Sequence, residues 1–412
     1  MHLVIVAIRR CARPGFAALA SAVLALLPHG DALAQVDFRG ELVGSVVGTD
    51  AESRAEPGEE GSDEAKGLAS LRYLPELLID ARIKGQTGLT FLASANLTAT
   101  AARLVTEEWL TDSDADLYRL WARLASPRVE FRVGLQKIAF GSATLLRPLQ
   151  WFDELDPRDP LQLTDGVEAG LFRYTALNNT NLSLWVLYGN DEVRGWDVIP
   201  SDPDEVEFGG RLQFPLFKGE LGLSYHQRQL DPSALLPVPL LESTTSPEHR
   251  IGLDGKWDVG AGLWFEGAVI ERDTELLPYR YRQMLTLGAD YTFNLGTGLT
   301  ALGEHFRLQE SDDLFGRGVT VQITALSMTY RTSIIDQLSF IASHEWEDDV
   351  LDSGAGGRDA AARVHVHAVG QPDLVASRGR DLHAARARTP GFRRPRRPPS
   401  PGRRRGPRSV RP

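Results

Sequence analysis

The chain has 412 residues, with 55 acidic against 45 basic side chains, one cysteine and a formal net charge of −10, and its mean hydropathy is −0.21. Beyond the N-terminal stretch no apolar run approaches the ~18 to 20 residues of a spanning helix, which argues against a helical membrane protein. The charge is unevenly held. Residues 1–34 carry net +2, residues 35–357 carry 27 bases against 51 acids, and residues 358–412 carry 15 arginines, no lysine and three aspartates. An acidic body disfavours nucleic acid as a partner, because phosphate contacts need clustered bases.

Arg9, Arg10 and Arg13 precede the apolar run Phe16–Leu27, and Ala32-Leu33-Ala34 supplies small residues for cleavage. This order predicts a signal peptide over 1–34, removed before Gln35. Cys11 lies inside it, so the exported region is cysteine-free and must be held by a large hydrogen-bonded framework instead of disulfides.

From Val36 to Trp346 the pattern is period-2 alternation in fifteen segments of about 10 to 13 residues, broken by Gly, Pro, Asn and Asp. Val129, Phe131, Val133 and Leu135 alternate with Glu130, Arg132, Gly134 and Gln136; Leu285, Leu287, Ala289 and Tyr291 alternate with Thr286, Gly288 and Asp290. The connections alternate too. Lys84–Gln86, Ser126-Pro127, Leu177–Thr180, Pro215–Gly219, Asp258–Ala261, Asn294–Thr297 and Thr332–Ile335 read as tight turns. Thr49–Gly67, Ala101–Ser113, Gly141–Asp165, Asn190–Asp204, Asp231–Pro247, Asp273–Arg280 and Gln309–Gly318 read as long links. A soluble sandwich has no reason to keep that rhythm. It predicts an all-β fold, a transmembrane antiparallel up-and-down β-barrel with periplasmic turns and extracellular loops.

Fifteen strands leave the barrel one short, since both termini on the periplasmic side require an even count. The last strand of about sixteen is therefore lost or replaced: after the barrel region 35–350 only Ala362–Val369 alternates, within an Arg/Pro-rich stretch 351–412 that reads as disordered. The abrupt exchange of lysine for arginine there is what a GC-rich gene read out of frame produces, and this stretch is expected to be a frameshift product.

The third long link, GSATLLRPLQWFDELDPRDPLQLTD, carries Arg147, Trp151, Phe152, Asp153, Glu154, Asp156, Arg158 and Asp159. A merely solvated loop would resemble Thr49–Gly67, which has seven acids, two bases and no aromatic residue. An aromatic pair with clustered charges suits a loop folded into the lumen to narrow a pore, where fixed charges set selectivity at close range. The alternative is that Arg147 and Arg158 pair with neighbouring aspartates and simply hold the loop to the wall.

Arg128–Pro160, RVEFRVGLQKIAFGSATLLRPLQWFDELDPRDP, resembles the strand-plus-loop block of Gram-negative outer-membrane porin-like barrels related to alginate-export and phosphate-selective porins. The resemblance implies a channel for diffusion of small hydrophilic or anionic solutes, located in the outer membrane. It implies outer-membrane lipids and lipopolysaccharide, a small solute and the barrel-assembly machinery as partners, with a homotrimer among the assemblies open to it. Two features depart from it: no basic ladder runs through consecutive strands, and no aromatic residue closes the chain.

Parity places Arg119, Arg123, Glu130, Arg132, Glu207, Arg211, Glu220, Arg228, Arg250, Asp254, Lys256, Glu266, Asp290 and Glu304 in the lumen, with Arg119, Arg123 and Arg132 as a small basic strip; cross-strand pairs that stiffen the wall are the competing role. No catalytic residue, metal ligand or cofactor site is expected. His226, His249, His305 and His344 are scattered, Ser224 beside His226 is what parity yields by chance, and His365 with His367 lacks a third ligand. A barrel enzyme, or an anchor or adhesin without an open pore, is the alternative function.

Overall fold

The computed structural model describes residues 34–48, 65–104, 109–154, 163–231, 246–273, 277–332, 337–346 and 367–369. All of the predicted signal segment except Ala34, and nearly all of 351–412, lie outside these. The strands are β1 (Ala34–Gly48), β2 (Ala65–Lys84), β3 (Thr87–Leu104), β4 (Trp109–Ala125), β5 (Val129–Gln136), β6 (Val167–Thr175), β7 (Asn181–Leu187) and β8 (Glu207–Leu216). They continue as β9 (Gly219–Leu230), β10 (Ser246–Asp258), β11 (Gly262–Arg272), β12 (Tyr281–Phe293), β13 (Leu299–Ser311), β14 (Val319–Arg331), β15 (Gln337–Trp346) and β16 (His367–Val369). They form one sheet in sequence order, and neighbouring strands run antiparallel, as in the β9–β10 and β10–β11 pairs. The fold is thus all-β and up-and-down.

Two expectations change. The long link over 101–113 is mostly strand: Ala99–Arg103 pairs with Trp109–Ser113, which leaves 105–108 as the connection and makes β2, β3 and β4 longer than the rest. The sixteenth strand is described over three residues, with Ala368 opposite Phe340 of β15, inside the stretch that alternation singles out. Among the described residues β1 pairs only with β2.

Alternation sorts the side chains as a lipid-surrounded sheet does. On β10, Ile251 and Leu253 are 54% and 42% exposed, while Arg250 and Asp254 are 1% and 2% exposed. The outward faces of β9 to β15 change from apolar to polar between Tyr225 and Gln227, Ile251 and His249, Val269 and Glu271, Leu285 and Gln283, Gly303 and His305, Leu326 and Thr324, and Ala342 and His344. Ile251 stands opposite both Tyr225 and Val269, so the boundary follows the register there. Val269 faces Gln283 and Leu285 faces Arg307, so it slips two residues at β11–β12 and four at β12–β13, then none. Six residues over six strand pairs is about one per strand, the stagger expected of strands tilted against a membrane plane.

The apolar core sits inside this wall. Leu149, Trp151 and Phe152 from the β5–β6 connection pack with Leu171 of β6, Trp185 of β7, Ile270 of β11 and Phe306 of β13.

Candidate functional site

After β5 the chain turns inward at Gly141, whose φ of 108° only glycine adopts easily. A Cβ there would run into the carboxylate of Glu266. The segment that follows lacks regular structure, so its backbone donors need other partners once buried. Two wall carboxylates supply them. Glu266 on β11 accepts from the amides of Ala143 (2.8 Å) and Leu149 (2.6 Å). Glu304 on β13 accepts from Thr144 (2.6 Å), Leu145 (2.8 Å) and Leu146 (2.7 Å), and also from the indole of Trp264 at 2.9 Å. Ser142 donates to Asp254 at 2.9 Å, and Thr286 donates to the Leu146 carbonyl at 2.6 Å. Gly252 on β10 leaves room for Leu149 and Trp151. One segment thus touches β10, β11, β12 and β13, and its far end touches β4, where Arg119 donates to the Thr164 carbonyl at 2.6 Å. The sheet curves around it.

The predicted constriction residues separate. Arg147 donates to Asp153 at 2.6 Å and to the Phe140 carbonyl at 3.1 Å, and both members of the pair are buried. Burial raises the Asp153 carboxyl above the ordinary aspartate range, with Arg147 acting against it. Phe152 packs edge-on to Trp185 (5.5 Å) and His226 (4.9 Å), and Phe140 stacks on Trp185 at 5.3 Å. Arg147, Trp151, Phe152 and Asp153 therefore hold the segment to the wall, while Glu154 is exposed and lines open space. Asp156, Arg158 and Asp159 lie outside the described residues.

Of the lumen residues, Arg211 forks onto Asp254 (2.5 and 2.9 Å), Arg228 meets Glu248 at 2.6 Å and Glu207 meets His226 at 3.1 Å. Glu220 stands opposite Lys256 in register, and Asp290 lies over Gly262. The basic strip takes a different membership. Arg123 and Arg132 converge on Glu130 at 2.9 and 2.8 Å, joined by Arg173 at 3.9 Å. Arg119 is diverted upward by a register break, where Ser94 faces Arg119 but Ala95 faces Leu117. That irregularity turns Tyr118 towards the lumen as well.

The β7–β8 connection also folds inward. Trp196 stacks on Phe306 at 4.7 Å and donates to the Arg147 carbonyl at 2.9 Å, and Asp197 binds Arg228 (3.0 Å) and Arg250 (2.7 Å). Beside them Arg272 and Arg282 share Glu310 at 3.0 and 2.7 Å. Parity could have found Glu248, Arg272, Arg282 and Glu310. No sequence signal marks Trp196 or Asp197.

Two open spaces flank the inward segment. One of about 300 Å³ lies on the long-loop side, between Glu154, Thr164 and Asp165 and the wall residues Arg72, Asn96, Asp116 and Tyr118. The other, of about 430 Å³, lies on the short-turn side below Ile138–Phe140, against Arg123, Glu130, Arg173 and Trp185.

No protein-family model and no curated protein matches the chain. The solved structures that resemble it include an anion-selective porin from Comamonas acidovorans, with a TM-score of 0.46 and 12% identity over 84% of this chain and 96% of that one. The outer membrane channel DcaP of Acinetobacter baumannii gives a TM-score of 0.46 and 11% identity, covering 76% of this chain and 91% of its own. Salmonella typhi OmpF in complex with daunomycin gives 0.44 and 11%, covering 78% and 91%, so the proteins this chain is similar to are outer-membrane porins and channels.

Proposed function

We propose that the protein is a Gram-negative outer-membrane channel for diffusion of small hydrophilic or anionic solutes, its lumen narrowed by the connection between β5 and β6. The observation that carries this reading is the capture of five backbone amides of that connection by Glu266 and Glu304. Charge-assisted bonds of this kind are strong where water is excluded. They hold the segment against one side of the wall and leave the β2–β4 side for passage. The apolar outward face with its tilted boundary supports a lipid surrounding.

The Ser224 and His226 pair is committed to the wall. Ser224 accepts from Arg211 at 3.0 Å, and His226 lies between Glu207 and the Trp185 indole, 3.3 Å away. This favours passage over catalysis. The same reading includes lipopolysaccharide around the barrel, insertion by the barrel-assembly machinery and a homotrimer, which native electrophoresis against mass standards tests.

Planar-bilayer recording tests the channel itself. The refolded protein should give ohmic steps at high salt, and deletion of residues 144–153 should enlarge them. Silence would instead favour an anchor, adhesin or enzyme, and unchanged steps in the deletion variant would remove the segment from the pathway.

A further inference from the structure

Among the described residues, the two open spaces differ in the sign of their excess fixed charge. On the long-loop side, among the described residues, Asp116, Glu154, Asp165 and Glu192 face the open space against Arg72 and Arg194, and Arg119, bonded to the Thr164 carbonyl, adds a third base, leaving an excess of one acid. On the short-turn side, Arg123, Arg128 and Arg173 face the space with Glu130, while Arg211 there is already matched by Asp254. Arg132 adds a fourth base through its bond to Glu130. Arg123 also stands directly opposite Arg132 across β4 and β5. Like charges so placed repel, and a single carboxylate offsets only one of the three guanidinium groups gathered on it. The basic excess is therefore built into strand register. Ile138–Phe140 border the lower space while Glu154 and Thr164 border the upper one, so the inward segment divides them.

In a confined, weakly screened passage, fixed charge enriches counter-ions. Cations gather at the acidic end and anions at the basic end. A field that makes the long-loop side positive drives both towards the dividing segment, and salt accumulates there. The opposite field drives both away and depletes it. We propose that the two spaces form one conduit that is bipolar along its axis and rectifies ionic current, passing more when the long-loop side is positive. This rests on the channel reading above.

Current–voltage curves of oriented single channels in 0.1 M KCl should show roughly two-fold asymmetry at matched voltages, the size a fixed potential of order kT produces. In 3 M KCl the asymmetry should vanish, because the screening length falls from about 10 Å to under about 3 Å. Asymmetry arising from pore shape alone would persist. The double variant R123Q/R173Q should lower the ratio and shift the reversal potential in a KCl gradient towards cations. E154Q/D165N should lower it too but shift the reversal potential towards anions. Linear curves from the wild type at low salt, asymmetry that survives high salt, or shifts of the same sign in both variants would each overturn the proposal while leaving the channel intact. Absence of any conductance would overturn the channel reading and this inference with it.

Discussion

Glu304 is the side chain on which most of the inward segment depends. Its carboxylate is 2% exposed and receives three backbone amides and one indole. Replacing it with alanine strands those buried donors, each costing about 1 to 3 kcal/mol in isolation. Partial relaxation makes about 2 to 4 kcal/mol the expected loss for Glu304→Ala, read from urea unfolding in detergent, with noisier open-channel current. Gly141 allows a paired test. Gly141→Ala meets both a left-handed backbone and the Glu266 carboxylate, whereas Gly260, at φ 94°, has nothing within 4 Å of a new Cβ. Gly260→Ala should therefore cost only about 1 kcal/mol, and Gly141→Ala clearly more in the same unfolding assay. Asp153 adds a pH dependence. Its carboxyl is raised above 3.8 by burial, so the folded chain binds that proton more readily than the unfolded one. The associated stability is fully present below about 3.8 and is lost as pH rises through the raised value. Wild-type stability minus that of Asp153→Asn should fall from acid towards neutral pH, and a rising difference would mean the Arg147 pair outweighs burial. Parity alone pointed Glu304 inward. What it holds was not legible, because its partners are backbone amides, which carry no residue signature.

At the scale of an element, β10 separates the two environments most cleanly. Leu253 faces out between Leu223 and Gly267, and Asp254 faces in to meet Arg211. An arginine introduced on the outward face of such a strand costs about 2 to 4 kcal/mol near the membrane midplane. Leu253→Arg should lower folding stability into lipid vesicles by that order, and an unaffected variant would argue that this face meets water. The extension of β3 and β4 marks where element reading failed. Ala99–Ala102 offers little contrast between its two faces, so alternation fades although the ladder continues. The break at Ser94 escaped for a related reason. A single extra residue inverts parity above it without altering composition.

For the whole molecule, the inward segment and the β7–β8 connection pack against β7 to β13, leaving space beside β2 to β4 on the long-loop side and below the segment along β4 to β8 on the short-turn side. The single native cysteine, Cys11, precedes the strands, so introduced thiols report directly. Asn96→Cys, on the open side, should react with charged methanethiosulfonate reagents and reduce current. Ala268→Cys, 3% exposed beneath the segment, should stay unmodified. Equal reaction at both sites would mean the segment does not occupy its side of the lumen.

The sequence by itself determined the all-β class and the order of the strands, because a two-residue period is a local property of an extended chain, but not the facing of residues above the break at Ser94. It also pointed to the β5–β6 connection, since aromatic residues among charges seldom stay in solvent. Only the tertiary structure decided that Arg147 and Asp153 pair with each other, that Glu266 and Glu304 reach across more than a hundred residues to hold that connection, and that Arg173 joins Arg123 and Arg132 on one carboxylate. Those choices depend on sheet curvature and strand register, which bring distant positions together by geometry that no local pattern encodes.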